Sequence, residues 1–246
     1  RMPLKFGILV LTSVTCARAC VTVRGADGKT ATGWGETPLS VGWVWPAPLD
    51  YEERHTALKD FTIRQTEVTK NFEESGHALE IGHAFIENQQ AKLQDDFNAD
   101  RADDAKLPHL AALVCFSAFD IAIHDAYGNL HGVPIYQTYN SEYLSKDLSH
   151  FLEPASGAGG RLLGKFPSDF LVEAPETMPV WHLVGGLDPV EESELTGEEP
   201  DDEYPVLLRD WIERDGLNCL KIKLRGNDAD WDYQRLVQIG KICADM

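Results

Sequence analysis

Basic residues are scarce in this chain. Twenty-two Lys and Arg stand against forty Asp and Glu, giving a formal net charge of −18 and a pI near 4.7. That balance argues against nucleic acid and membrane surfaces as partners, since both are bound through a basic footprint. It does not call for a cationic ligand, because an acidic surface often serves only solubility. Cysteine is scarce too: five residues, at 16, 20, 115, 219 and 243, odd in number and without a CxxC pair. A disulfide framework is therefore not the economical reading, and buried free thiols in a reducing, cytoplasmic compartment fit better. No apolar run approaches the roughly 20 residues of a membrane-spanning helix. There is no GxSxG elbow, no phosphate loop with its lysine, no cysteine set beside a histidine motif and no internal repeat, which leaves no convincing nucleophile.

The 246 residues are enough for one large domain or two ordinary ones. Arg1, the apolar stretch from Phe6 to Val14 and Ala17-Arg18-Ala19 have the elements of a secretory signal. Thr12, Ser13 and Thr15 dilute that stretch, and the pattern runs on into Val21-Thr22-Val23, which favours a strand. Residues 6–38 read as an antiparallel meander with a glycine turn at Gly25–Lys29. A loop rich in Trp, Gly and Pro follows, containing Trp43 and Trp45. Residues 50–98 are helical in pattern, with Asp50 as N-cap and a break at Ser75-Gly76. A further helix starts after Pro108, buries Leu110, Leu113, Phe116, Phe119, Ile123 and Tyr127, and is expected to close at Gly128.

Residues 153–168 are loose in composition, and the expected domains are 1–165 and 166–246. Beyond the boundary the rhythm alternates: a strand over 178–184, an acidic loop, a helix over 204–215, a strand over 217–224 and a helix over 228–244. That alternation marks a parallel sheet or barrel. The fold class expected is thus an α+β domain followed by the start of a (β/α)8-type barrel.

The strand Leu220-Lys221-Ile222-Lys223-Leu224 carries the most chemistry. Alternation puts Cys219, Lys221 and Lys223 on one face and Leu220, Ile222 and Leu224 on the other. Flanked by helices, such a strand is expected to be buried on both sides. Two sheltered ammonium groups lower one another's pKa, and a lysine so tuned can serve as a base near neutral pH. The alternative is an edge strand with two solvated lysines.

Other candidates have plainer readings. The loop from Asp188 to Glu203 holds nine carboxylates and no base, but its spacing is not that of a calcium loop. Asp120 and His124 lie one helical turn apart, as suits a metal, a proton relay or a buried hydrogen-bonded pair. His77 and His83 are six apart and share a helix face poorly. Gly157–Gly160 lacks the context of a phosphate loop, and Gly185-Gly186 does not open a GxGxxG pattern.

Four pieces together resemble the enolase superfamily, in its mandelate racemase and muconate lactonizing enzyme branch. Gly33-Trp34-Gly35-Glu36-Thr37-Pro38-Leu39 is similar to the end of the family's capping-domain meander. The run from Ala118 to Gly128, followed by Gly132-Val133-Pro134, is similar to its central capping helix. Pro179-Val180-Trp181-His182-Leu183 with Gly185-Gly186 resembles its first barrel strand, and Lys221-Ile222-Lys223 its KxK motif at the end of the second. The resemblance implies a capping domain over residues 1–165 and the beginning of a TIM-like barrel from residue 166.

It also implies removal of a proton next to a carboxylate through an enediolate, by a lysine or histidine base with Mg²⁺. Lys223 would be the base. Lys221 would hold its pKa down and help neutralise the substrate carboxylate. The family's Mg²⁺ ligands, on the third to fifth barrel strands, would lie beyond Met246, and Asp245 comes too early to be one. The chain is therefore expected to be part of a longer isomerase or lyase: a racemase or epimerase, a cycloisomerase or a sugar-acid dehydratase. Alternatives are a non-catalytic remnant or interaction module, and an aldolase-type barrel with a Schiff-base lysine. The substrate would be a small carboxylate or sugar acid, with Phe6 and Trp43 as contacts, and the family often assembles as homo-oligomers.

Overall fold

The computed structural model of the chain describes residues 4–6, 9–155 and 161–246, with side chains from Leu11 onward. The chain divides into two compact units: one is Val14–Glu173, and the other joins the N-terminal hairpin to Ala174–Met246. The division at Glu173 lies past the expected 165, and the hairpin clusters with the later unit. Ser156 to Gly160, including the glycine run considered above, lies outside the described residues.

In the first unit, β3 (Cys16–Arg24) and β4 (Thr30–Pro38) form an antiparallel pair, Cys16 opposite Pro38 and Arg24 opposite Thr30. Among the described residues the preceding strands β1 (Leu4–Phe6) and β2 (Leu9–Leu11) pair only with each other, so the expected continuous meander is two separate ribbons. A short helix α1 (Val41–Val44) interrupts the tryptophan loop and buries Val41, Val44 and Trp45. Helix α2 (Tyr51–Lys70) starts at Asp50, whose carboxylate accepts the Glu52 N–H as expected of an N-cap. Helix α3 (Ala78–Phe85) passes through a π-turn (Ile86–Gln90) into α4 (Ala91–Asn98).

Helix α5 (His109–His131) is the central helix of this unit. It is the one described segment long and apolar enough to cross a membrane by length and composition. Here it is a core helix: Ala111, Ala112, Cys115, Ala118, Ala122 and Ala126 are fully buried. It runs past Gly128 and ends instead at Gly132, which takes the left-handed conformation (φ 67°). Gly128 keeps helical geometry, and a Cβ there would come within 3.0 Å of the Val133 carbonyl oxygen. The single-turn helix α6 (Leu148–Phe151) and a 3-10 turn at Pro167–Asp169 follow in the same unit.

Two clusters fill the interior. Phe61, Phe97, Leu58 and Trp45 gather around Ala111 and Cys115, and Phe85 stacks on Phe116 at 4.2 Å beside Phe119 and Ala122. Burial pushes the Cys115 thiol up to about 11, but the expectation of buried thiols fails at Cys16, Cys20 and Cys243, which are exposed. Because thiolate is the reactive form, brief iodoacetamide treatment of the native chain should label Cys16, Cys20 and Cys243 and spare Cys115 until the protein is denatured. Peptide mass mapping reads this directly, and early labelling of Cys115 would contradict the packing.

In the second unit, β5 (His182–Val184) and β6 (Leu220–Ile222) pair in parallel, His182 beside Leu220 and Val184 beside Ile222. Helix α7 (Leu208–Asp215) makes the crossover, ending at Gly216 in the left-handed region (φ 60°). Helix α8 (Ala229–Ala244) follows β6, capped by the Asp228 carboxylate on the Trp231 N–H. Both strands are shorter than the sequence pattern suggests. Val184, Leu208, Ile239 and Ile242 are buried together with Val190, and Ile212, Leu220 and Ile222 pack against them. This is a β-α-β-α unit with its helices on one face. Among the described residues the sheets are all two-stranded and no barrel closes.

Candidate functional site

The apolar row of the β5–β6 pair is spent on the helices, which leaves the other row for chemistry. Since paired residues share a face, Leu183 and Lys221 lie together, with Trp181 before Leu183 and Lys223 after Ile222. Lys223 extends the pairing: its N–H donates to the Val184 carbonyl at 2.9 Å. The two lysines are thus one strand repeat apart, about 6.5 Å along the strand. Both stand toward the carboxyl ends of parallel strands, the side on which α/β sheets place ligand sites.

The expectation of burial on both sides is corrected. Lys221 is exposed, Lys223 half-buried and Trp181 65% exposed. Helices α7 and α8 both pack on the Leu220–Ile222 face, so the lysine face is open. Phe6 lies outside the residues whose side chains are described. Trp43 stands 58% exposed on α1, in the other unit.

A second group of polar side chains reinforces the strand ends. Arg235 of α8, only 5% exposed, donates through Nη1 to Glu194 Oε2 at 3.1 Å and through Nη2 to the Asp188 carbonyl. Gln238 donates to the same Glu194 carboxylate at 2.6 Å. Asp188 in turn accepts the Gly185 N–H at 2.6 Å, and Asp232 accepts the N–H groups of Arg225 and Gly226. The loops after β5 and β6 are therefore both tied to α8. Burial raises the Glu194 carboxyl, but hydrogen bonds from the Val190 N–H, Gln238 and Arg235 outweigh it and hold it below the ordinary range. The Arg225 guanidinium lies 3.7 Å from the centre of the Trp231 ring, with Arg235 at 5.6 Å. The buried Nε atoms of Arg225 and Arg235 have no hydrogen-bond partner among the described residues. Sequence reading missed this clamp, because nothing in the spacing of Glu194 and Arg235 announces a contact across 41 residues.

No family model matches the chain, and no curated protein or solved structure matches it. The site therefore stands on its own geometry.

The remaining candidates resolve into structure. His124 Nδ1 is bonded to the backbone carbonyl of Asp120 at 2.8 Å, with the Asp120 carboxylate at 3.7 Å. Burial pushes the Asp120 carboxyl up, partly offset by His124. His77 is the N-cap of α3: its Nδ1 accepts the Leu79 N–H, so Nε2 carries the proton toward Thr138 Oγ1, 2.8 Å away. The acidic loop forms a short 3-10 turn at Glu192–Glu194. Among the described residues no group of three His, Cys, Asp or Glu is placed to hold a metal ion.

Proposed function

We propose that the β5–β6 unit carries the base end of a proton-abstracting site of the enolase-superfamily kind. It would act on the carbon next to a carboxylate, in a cytoplasmic isomerase or lyase. The observation that supports this reading is the pair Lys221 and Lys223 on the open face of a parallel strand, with the apolar row behind it packed on α7 and α8. Lys223, half-buried at the strand end, would remove the proton. Lys221, exposed, would meet the carboxylate and offset the charge that develops on it. Asp232, which accepts the Arg225 and Gly226 N–H groups, holds the end of the strand that carries this pair, and the Arg235–Glu194 clamp holds the loop after its neighbour β5.

The described residues do not fit a Mg²⁺ site, since no carboxylate group is gathered at the lysine face. The residues here account for carboxylate binding and the base alone, and purified 1–246 is expected not to turn over a hydroxy acid.

Carboxylate binding is the part open to direct test. Lysines reductively methylated with carbon-13 can be followed by NMR while mandelate, a simple α-hydroxy carboxylate, is added. Signals assigned to Lys221 and Lys223 by loss in Lys221→Arg and Lys223→Arg should move and saturate while other lysines stay still. Lys221→Ala should weaken binding about tenfold, the loss of ~1.4 kcal/mol expected for one charge-assisted contact. Uniform shifts at all lysines, or none, would end this reading. Borohydride with pyruvate separates it from imine chemistry: no trapped adduct on Lys221 or Lys223 is expected.

A further inference from the structure

The two outer edges of the β3–β4 ribbon differ, and only that of β4 receives hydrogen bonds from α5. The hydrogen bonds from Gly25 N–H to Lys29 O and from Leu39 N–H to Thr15 O, both 2.8 Å, fix the phase of the ladder. Pairs 15/39 and 25/29 are hydrogen-bonded, so 16/38, 18/36, 20/34, 22/32 and 24/30 are not. In those pairs the N–H and C=O groups point away from the partner strand. On β4 two of them are taken up by α5: Trp34 N–H donates to Asp125 at 2.8 Å, and the Thr32 carbonyl accepts from Asn129 at 3.0 Å. On β3 the outward groups of Cys16, Arg18, Cys20, Thr22 and Arg24 have no hydrogen-bond partner among the described residues.

Beside this edge runs a groove of about 1140 Å³, lying wholly within the Val14–Glu173 unit. Residues Cys20 to Ala26 form one wall, and Phe72, Ile81, Phe119, Ile123, Tyr127 and Leu130 are among the rest. It exceeds the roughly 300–1,000 Å³ typical of a small-molecule pocket. A row of unused backbone groups above an apolar trough is the geometry of strand addition: main-chain bonds supply affinity, and alternate side chains drop into the trough. The rim carries Arg24, Lys70 and Glu74 outside any ion pair among the described residues, while Lys29 is held by Asp27 at 2.7 Å. Its free balance is cationic in a chain of net charge −18.

We propose that the open edge of β3 and the groove beside it accept an extended peptide strand from a partner protein, apolar at alternate positions and acidic at its ends. The proposal is independent of the lysine face, which belongs to the other unit.

The test uses the full chain and a fluorescein-labelled peptide of sequence EVTITVTIE, followed by anisotropy. Saturable binding is expected, with slowed amide exchange at Arg18, Cys20 and Thr22 and little change at Val21 and Val23, which already sit in the ladder. Thr22→Pro removes an outward N–H and no ladder bond, so it should weaken the peptide at least tenfold while leaving the thermal midpoint within a few degrees. Arg24→Glu provides a second reading: several-fold weaker binding of this peptide, and tighter binding of one with lysine ends. Absence of binding, protection elsewhere, or indifference to both substitutions would overturn the proposal. So would sedimentation showing a dimer protected along β3, which would make a second copy the occupant.

Discussion

Gly35→Ala is expected to destabilise the Val14–Glu173 unit by about 3 kcal/mol or more, and to lower its melting midpoint by roughly 6–12 °C. A Cβ at Gly35 would run into the carbonyl oxygen of Ala118 and come within 2.6 Å of the Ala122 nitrogen. At Gly33 the obstacles are the Ala122 carbonyl and the Ala126 nitrogen. These neighbours are helix backbone and cannot swing aside. Strand β4 thus lies directly on α5, glycine against a stripe of alanines at 118, 122 and 126, each fully buried. Gly28→Ala is the control. Gly28 has φ 83° and open space around it, so it should cost only the backbone preference, about 1–2 kcal/mol. Equal losses at Gly28 and Gly35, by thermal or urea unfolding, would show that the close approach does not exist.

Glu80→Ala should be nearly as damaging. The Glu80 carboxylate is 5% exposed and accepts four hydrogen bonds, from His77 N–H, Ser145 N–H, Ser145 Oγ and Lys146 N–H. Its loss strands three backbone donors, which together cost on the order of 3 kcal/mol or more. The same junction sets the response to acid. Burial, with the neighbouring charge of His124, lowers the His77 pKa from 6.5 to about 4. The unfolded chain therefore binds a proton at His77 that the folded chain refuses. Stability is complete above pH 6.5 and falls as pH drops from 6.5 to 4, by up to about 3 kcal/mol. Glu80 adds to the loss further down. Burial raises its carboxyl, but hydrogen bonds from the His77 N–H, Ser145 and Lys146 outweigh that and hold it below 4.5, so its contribution fades only below that pH. Urea midpoints between pH 7 and 4 should show this slope, and His77→Asn, which keeps a capping oxygen, should flatten it. An unchanged slope would place the acid sensitivity elsewhere.

What the sequence disclosed follows from how local each feature is. Asp50 is a readable cap because the bond runs to a residue two positions on, while Asp228, expected as the first helical residue, proves to be the cap of α8. The alternation around Lys221 correctly separates Leu220 and Ile222, which join the core, from the lysines. It cannot say whether anything covers the lysine face, since burial depends on elements far away in sequence. Gly128 was the natural stop for α5 by pattern, yet packing against Val133 and Ile135 keeps it helical, and the left-handed turn falls to Gly132. His77 escaped notice as a cap because histidine is not among the usual capping residues. Its reciprocal partner, Glu80 three residues on, was the available signal. The GWG spacing registered only as a likeness to a family, and the structure supplies its mechanical cause.

The Asp125 and Asn129 side chains that occupy the middle of the outer edge of β4 also bear on assembly. A ribbon open on both sides can be extended indefinitely, copy upon copy, as in a cross-β fibril. Here α5 side chains hold the middle of the β4 edge, at Thr32 and Trp34. A strand added at β3, as proposed, would leave a further strand to compete with Asp125 and Asn129 on the far side. On that proposal the β3–β4 ribbon has a valence of one, taking a partner at β3 without templating a polymer.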